Sequence, residues 1–228
     1  MKHSVLKRAL LPALLAIGMS APSAAFAGAG DIALGVKGGT TGIGGEVTVG
    51  VIDKLNFRTG YNFFNYDGNA TESGIDYDYK LKLRTLPLLL DLHPFSSGFR
   101  VTSGIFINNN EVTGTATAQG SYDIGGTTYN AADIGSLDAK IDFRKTAPYL
   151  GIGWGNAVGK NSRLTIAFDA GVMFQGTPKV SLTPRDVQAG VDTALLQKNI
   201  DKEIADVKDD IDNLKYYPII SLGLAYKF

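Results

Sequence analysis

YYPIISLGLAYKF, residues 216–228, closes the chain, and its side chains alternate in kind. Pro218, Ile220, Leu222, Leu224, Tyr226 and Phe228 take every second position, while Ile219, Ser221, Gly223, Ala225 and Lys227 fill the gaps. A period of two sends neighbours to opposite faces of a strand, which no helix does. One face is apolar and ends in aromatics; the other is mostly small or polar. An edge strand of a water-soluble sheet can alternate in this way. A strand crossing a bilayer must do so, with aliphatic side chains toward lipid and aromatics gathered at the interface.

The rest of the chain fits that second reading. It has 228 residues, 44% of them apolar and 19% charged, enough for one ordinary domain. The 28 glycines suit turns and close approaches inside a small barrel. There is no cysteine, so neither a disulfide framework nor a lipid-modified amino-terminal Cys is available. No stretch reaches the roughly 18 unbroken apolar residues of a spanning helix, so any span must be made of strands.

The amino terminus supplies a compartment. Lys2, Lys7 and Arg8 precede an apolar run over 9–19, and Ala25-Phe26-Ala27 is a small-residue cleavage pattern. This layout predicts a signal peptide over 1–27, with a mature barrel domain over 28–228. Its removal leaves 19 basic residues (22 − 3) against 22 acidic ones, a balance unsuited to nucleic acid.

Eight alternating segments follow. Strands are predicted over 31–39, 44–51, 55–66, 75–92, 99–108, 148–154, 163–174 and 216–228. The clearest sets Leu164, Ile166, Phe168, Ala170, Val172 and Phe174 against Arg163, Thr165, Ala167, Asp169, Gly171 and Met173. In the fourth, Ile75, Tyr77, Tyr79, Leu81 and Leu83 oppose Asp76, Asp78, Lys80, Lys82 and Arg84; after Pro87 the phase is lost, and a bulge there is the expectation. The second, fourth and sixth connections are short. The third (67–74), the fifth (109–139, a long polar stretch expected to be a mobile extracellular loop or a hairpin) and the seventh are longer, as in a barrel with both ends in the periplasm. The seventh carries apolar residues at Val187, Val191, Leu195, Ile200, Ile204, Val207, Ile211 and Leu214, which predicts an amphipathic helix over 186–215 beginning after Pro184. Its apolar stripe packs on the barrel's own rim, serves a partner or a second copy, or enters the lumen or the membrane interface. The expected architecture is all-β: an eight-stranded antiparallel up-and-down transmembrane β-barrel, with one long amphipathic helix inserted before the last strand.

Three segments carry a family resemblance: LPLLLDLHPF (86–95), APYLGIGWGN (147–156) and LGLAYKF (222–228). They resemble strands of the small eight-stranded bacterial outer-membrane barrels, the OmpA-like, OmpX-like, Opa-like and OmpW-like proteins. The resemblance implies an outer-membrane location, with Tyr226 and Phe228 forming the terminal signal read by the barrel-assembly machinery. It also implies contact with outer-membrane lipids and lipopolysaccharide.

Alternation assigns Leu164, Ile166, Phe168, Val172, Leu222, Leu224 and Tyr226 to the lipid face. It assigns Lys37, Glu46, Arg58, Lys80, Lys82, Arg84, Arg100, Arg163 and Asp169 to the lumen, a mostly basic set. Those charges either fill the barrel as an ion-pair network or line an anionic path. Catalysis finds little to work with: outside the leader the one histidine is His93, beside Pro94 in a turn, with no base or nucleophile spaced to meet it. No metal-ligand cluster or phosphate-cradling loop is present, so neither enzyme activity nor a cofactor is expected. Two roles remain, a surface-displayed structural or interaction barrel and an OmpW-like transport or binding barrel for small hydrophobic or anionic solutes.

Overall fold

The computed structural model describes residues 30–72, 74–95, 97–159 and 163–228. The leader expected over 1–27 lies outside the described residues, as does part of the turn expected over 156–162. Eight strands close an antiparallel barrel: β1 (Ile32–Gly39), β2 (Gly42–Ile52), β3 (Leu55–Glu72), β4 (Ile75–Leu92), β5 (Phe99–Asn108), β10 (Thr146–Trp154), β11 (Leu164–Phe174) and β13 (Tyr216–Lys227). Closure is made by β13, which pairs with β11 (Phe168↔Leu222) on one side and with β1 (Val36↔Leu224) on the other. No wall strand is left with a free edge, so the backbone satisfies itself.

The remaining strands leave the barrel wall. β6 (Glu111–Ala118) continues the line of β5 against β4 in one register, Thr85↔Asn108 passing into Lys82↔Glu111. β9 (Ser136–Asp142) likewise continues into β10, since Glu111↔Asp142 and Ile107↔Thr146 keep one register. β12 (Lys179–Arg185) pairs with β9 and follows β11 after a short break. The upper halves of β3 and β4 thus join β6, β9 and β12 in a sheet standing on the barrel's distal end, away from the termini. A hairpin, β7 (Ser121–Ile124) with β8 (Thr127–Asn130), and a short helix α1 (Ala131–Ile134) complete it.

The helix α2 (Thr193–Asp210) lies on the inner face of this sheet, and a 3-10 turn (Asp212–Lys215) leads from it into β13. Asp192 starts it, its carboxylate accepting from the amides of Ala194 and Leu195 at 3.0 and 3.1 Å. Leu196 and Ile200 are buried against Ala118, Tyr122, Ile124 and Ile134, and Ile211 against Ile141 and Val180. Each such side chain contributes about 1.5–3 kcal/mol of burial. Polar bonds fix the position: Lys202 Nζ donates to Gly125 O (2.9 Å), the Gly125 amide donates to Glu203 (3.1 Å), and Asn199 donates to the Tyr129 hydroxyl (2.7 Å).

The structure departs from the sequence pattern at several points. The helix spans 18 residues, because Pro184 belongs to β12, opposite Leu137. Leu195, counted in the apolar stripe, is 46% exposed, since the stripe proper runs through Leu196, Ile200 and Ile204. The polar loop expected over 67–74 is strand up to Glu72, stitched by pairs such as Asp67↔Lys80 and Asn69↔Asp78. Of the loop or hairpin expected over 109–139, the structure has the paired form: β6 with β9 and β7 with β8 run antiparallel, and the small residues of β6 and β9 let a helix lie close above them. No bulge forms at Pro87: β4 keeps one register against β5 on both sides of it.

Candidate functional site

The lumen is where the barrel concentrates its buried charge. Glu46 on β2 and Arg58 on β3 face inward on adjacent strands. Asp91 on β4, Arg100 on β5 and Asp169 on β11 reach them from around the wall. The Arg58 guanidinium sits at the centre. It donates to both oxygens of Asp91 (Nε 2.8 Å, Nη2 3.0 Å), to both of Asp169 (2.9 and 3.0 Å) and to Glu46 (3.4 Å). Lys37 on β1 pairs with Glu46 at 3.0 Å. Arg100 donates to Asp169 at 2.8 Å and to the carbonyl of Gly155. Thr102 donates to Asp91 at 2.6 Å, and Ser221 on β13 lies 3.5 Å from Asp169.

The lumen charges balance, Lys37, Arg58 and Arg100 against Glu46, Asp91 and Asp169. An anionic path would need a cationic excess at this level, and the ring has none. Carboxylates and guanidinium so far from water are stable only when fully paired, which makes the cluster all-or-nothing.

Filling continues above and below. On the distal side Leu89, Phe106, Ala147, Tyr149, Met173 and Ile219 form an apolar plug, with Phe106 and Tyr149 edge to face at 5.3 Å between centroids. Gly151 and Gly171 flank the Tyr149 hydroxyl so closely that a Cβ at either would overlap it, so glycine there lets the ring lie across the bore. Toward the termini, the turn after β10 tucks inward and buries Ala157 and Val158 against Ala33 and Ala225. The cavity among Glu46, Asn56, Arg58, Asp91, His93 and Arg100 measures about 10 Å³, room for about one water.

His93 belongs to this lower seal rather than to a free turn. Asn56 Nδ2 lies 3.2 Å from its Nε2 and donates to Asn156 Oδ1 at 3.1 Å. Burial, and then the charge of Arg100, push its imidazolium down to about 4. The neutral ring is therefore the native form. The unfolded chain protonates near 6.5, so this contribution is complete above that pH and is lost as pH falls from 6.5 through about 4, by up to about 3 kcal/mol. Urea unfolding in vesicles at pH 7.5 and 4.5 should show the decline, and His93→Gln should flatten that part of it. An equal decline in both proteins would assign the effect to other groups.

Of the sequence-assigned lumen residues, Lys37, Glu46, Arg58, Arg100 and Asp169 meet in the network. Lys80, Lys82 and Arg84 do not: Lys80 and Arg84 are exposed, and Lys82 pairs with Glu111 at 3.5 Å on the outer face of the extension. The inward phase of β4 is Leu83, Thr85, Pro87, Leu89 and Asp91, as the burial of these five shows. The upper half of β4 turns its apolar face inward because α2 and its sheet, rather than lipid, cover that side. Arg163 is exposed just ahead of β11, outside the ring. Asp91 was missed because the leucines around it obscure the alternation; continuing the odd phase from Leu83 would have found it.

Outward go all seven residues assigned to the lipid face, with Ile166 66% exposed and Leu222 45%. They form a continuous apolar belt with Leu34, Val36, Leu90, Leu150 and Ile152. Aromatics mark both rims, Tyr61, Phe63, Phe174 and Tyr216 at the distal one and Phe95, Phe99, Trp154, Tyr226 and Phe228 at the other. Eleven residues of β11 span this belt, on the order of 25 Å once tilted.

Two solved structures share the fold. The crystal structure of Acinetobacter baumannii CarO2 is 21% identical, covers 87% of this chain and 98% of its own, and superposes with a TM-score of 0.55. That of Acinetobacter baumannii CarO is 20% identical over 86% and 97%, with the same TM-score. The chain has the fold of the small eight-stranded outer-membrane β-barrels. No protein-family model and no curated protein matches the sequence. Likeness at this identity carries the fold and leaves the role to this chain's own residues.

Proposed function

We propose that the protein is an integral outer-membrane barrel without enzymatic activity, whose transmembrane part anchors a rigid distal platform at the cell surface. The observation that carries this is the filled lumen beneath an ordered extension. Below the platform, apolar plug, ion pairs and inward turn occupy the bore in sequence. Above it, α2 and five strands form a packed unit with the polar face of the helix outward. The short turns and both termini belong on the periplasmic side, where Phe228 would be available to the assembly machinery.

The platform has its helix stripe covered by its own sheet, so a protein partner or a second copy would meet the polar face of α2 or the strand ends. The alternative of a barrel passing small hydrophobic or anionic solutes draws support only from the architecture that such barrels share. Planar-bilayer recording separates the two readings. The purified protein should insert without unitary current steps. Reproducible salt-dependent steps, abolished by a stacked bulky substitution at Gly171, would overturn the anchor reading in favour of transport.

A further inference from the structure

The three breaks where strands leave the barrel wall, 109–110, 143–145 and 175–178, occur at one level and enclose an open cleft of about 710 Å³ on the outer side. Its lining is basic. Lys140, Arg144, Lys145 and Lys179 stand against Glu111 and Asp142, and Glu111 is already engaged by Lys140 at 2.6 Å and Lys82 at 3.5 Å. Hydrogen bonding from Lys140 holds the Glu111 carboxyl below its usual range, so it stays an anion committed to that pair. Arg144, Lys145 and Lys179 have no ion-pair partner among the described residues, and all three are exposed. Arg84, also exposed and without an ion pair among them, lies beside the cleft, opposite Phe63 of the distal aromatic rim.

The position gives the charge its meaning. Directly below the cleft the outward face turns apolar, with Leu86 and Leu88 on β4, Ile105 and Ile107 on β5, and Pro148 and Leu150 on β10. A row of cations above a greasy wall fits a molecule with anionic groups at one end and acyl chains at the other. Arg and Lys bind phosphate oxygens through charge-assisted hydrogen bonds, and basic pockets at the headgroup level recruit anionic lipids.

We propose that this cleft binds the phosphate groups of a phosphorylated outer-leaflet glycolipid, lipid A in chemical class, with its acyl chains along the Leu86 to Leu150 wall. The proposal rests on the outer-membrane reading above and deepens it, by making the platform's foot a lipid-specific contact. Arg144 and Lys145 hold the phosphates, while Arg84 closes the side toward the aromatic rim.

The test uses the full barrel in detergent, followed by native mass spectrometry as bisphosphorylated lipid A, dephosphorylated lipid A or inorganic phosphate is added. Wild type should bind the bisphosphorylated form at least about ten-fold more tightly than the dephosphorylated one, on the scale of two lost cationic contacts. Arg144→Gln with Lys145→Gln should erase that preference, whereas Lys198→Gln with Lys208→Gln on α2 should keep it. Heat-modifiable gel mobility confirms that each variant is folded. Equal binding of the two lipid A forms, or an unaltered preference in the Arg144/Lys145 variant, would overturn the proposal, and displacement by inorganic phosphate at equal concentration would assign the site to free phosphate instead. Membrane fractionation tests the underlying reading separately, since a protein found in the outer membrane can still fail the lipid test.

Discussion

Arg58→Leu lowers the stability of the barrel by on the order of 3–5 kcal/mol, the cost of stripping the partner from buried charges. Three carboxylates converge on this one guanidinium, and the substitution leaves Glu46, Asp91 and Asp169 facing only Lys37 and Arg100. Lysine is no substitute, because a point charge with three donors cannot fork to two carboxylates as the planar group does. The expected measurement is a large drop in the urea midpoint of protein refolded into vesicles. The double change Arg58→Leu with Asp91→Leu restores charge balance and should recover a substantial part of the loss. A single variant as stable as wild type would show that water enters the bore and that the lumen is not filled.

Ile200→Asp should detach the platform while leaving the barrel intact. Ile200 is 1% exposed, packed between α2 and the extension sheet. A carboxylate there has no partner, and its burial costs about 4 kcal/mol or more, comparable to what holds a helix of this size in place. Leu195→Asp, five positions earlier on the same helix but 46% exposed, should be close to neutral. Limited proteolysis reads the difference: new cleavage within 111–215 in the Ile200 variant, with heat-modifiable mobility of the barrel unchanged in both. Loss of that mobility in the Ile200 variant would mean that platform and barrel fold as one cooperative unit.

The barrel is legible in the order of the residues. Alternation over β11 and β13, the pattern of short second, fourth and sixth turns and the absence of a spanning helix set the number of strands, their order and the outward face of β11 and β13. Lipid on one side and a packed bore on the other force a period of two, which is a local signal. Five of the nine lumen charges followed from the same rule, Lys37, Glu46, Arg58, Arg100 and Asp169.

The platform above the barrel and the closure of the bore arise from contacts between elements far apart in the chain. There the solvent on either face of a strand changes, so the polarity of Lys80, Lys82 and Arg84 no longer says which way they point; α2, distant in sequence, supplies the apolar cover that turns them outward. The polar stretch over 109–139 likewise becomes strand because a helix some 60 residues later buries its small side chains. Asp91 and His93 became part of the seal only when β4, β5 and the turn after β10 met inside the bore. Pairing of buried charges is a property of the closed ring, set by which strands face each other across it, and no period along one strand encodes that.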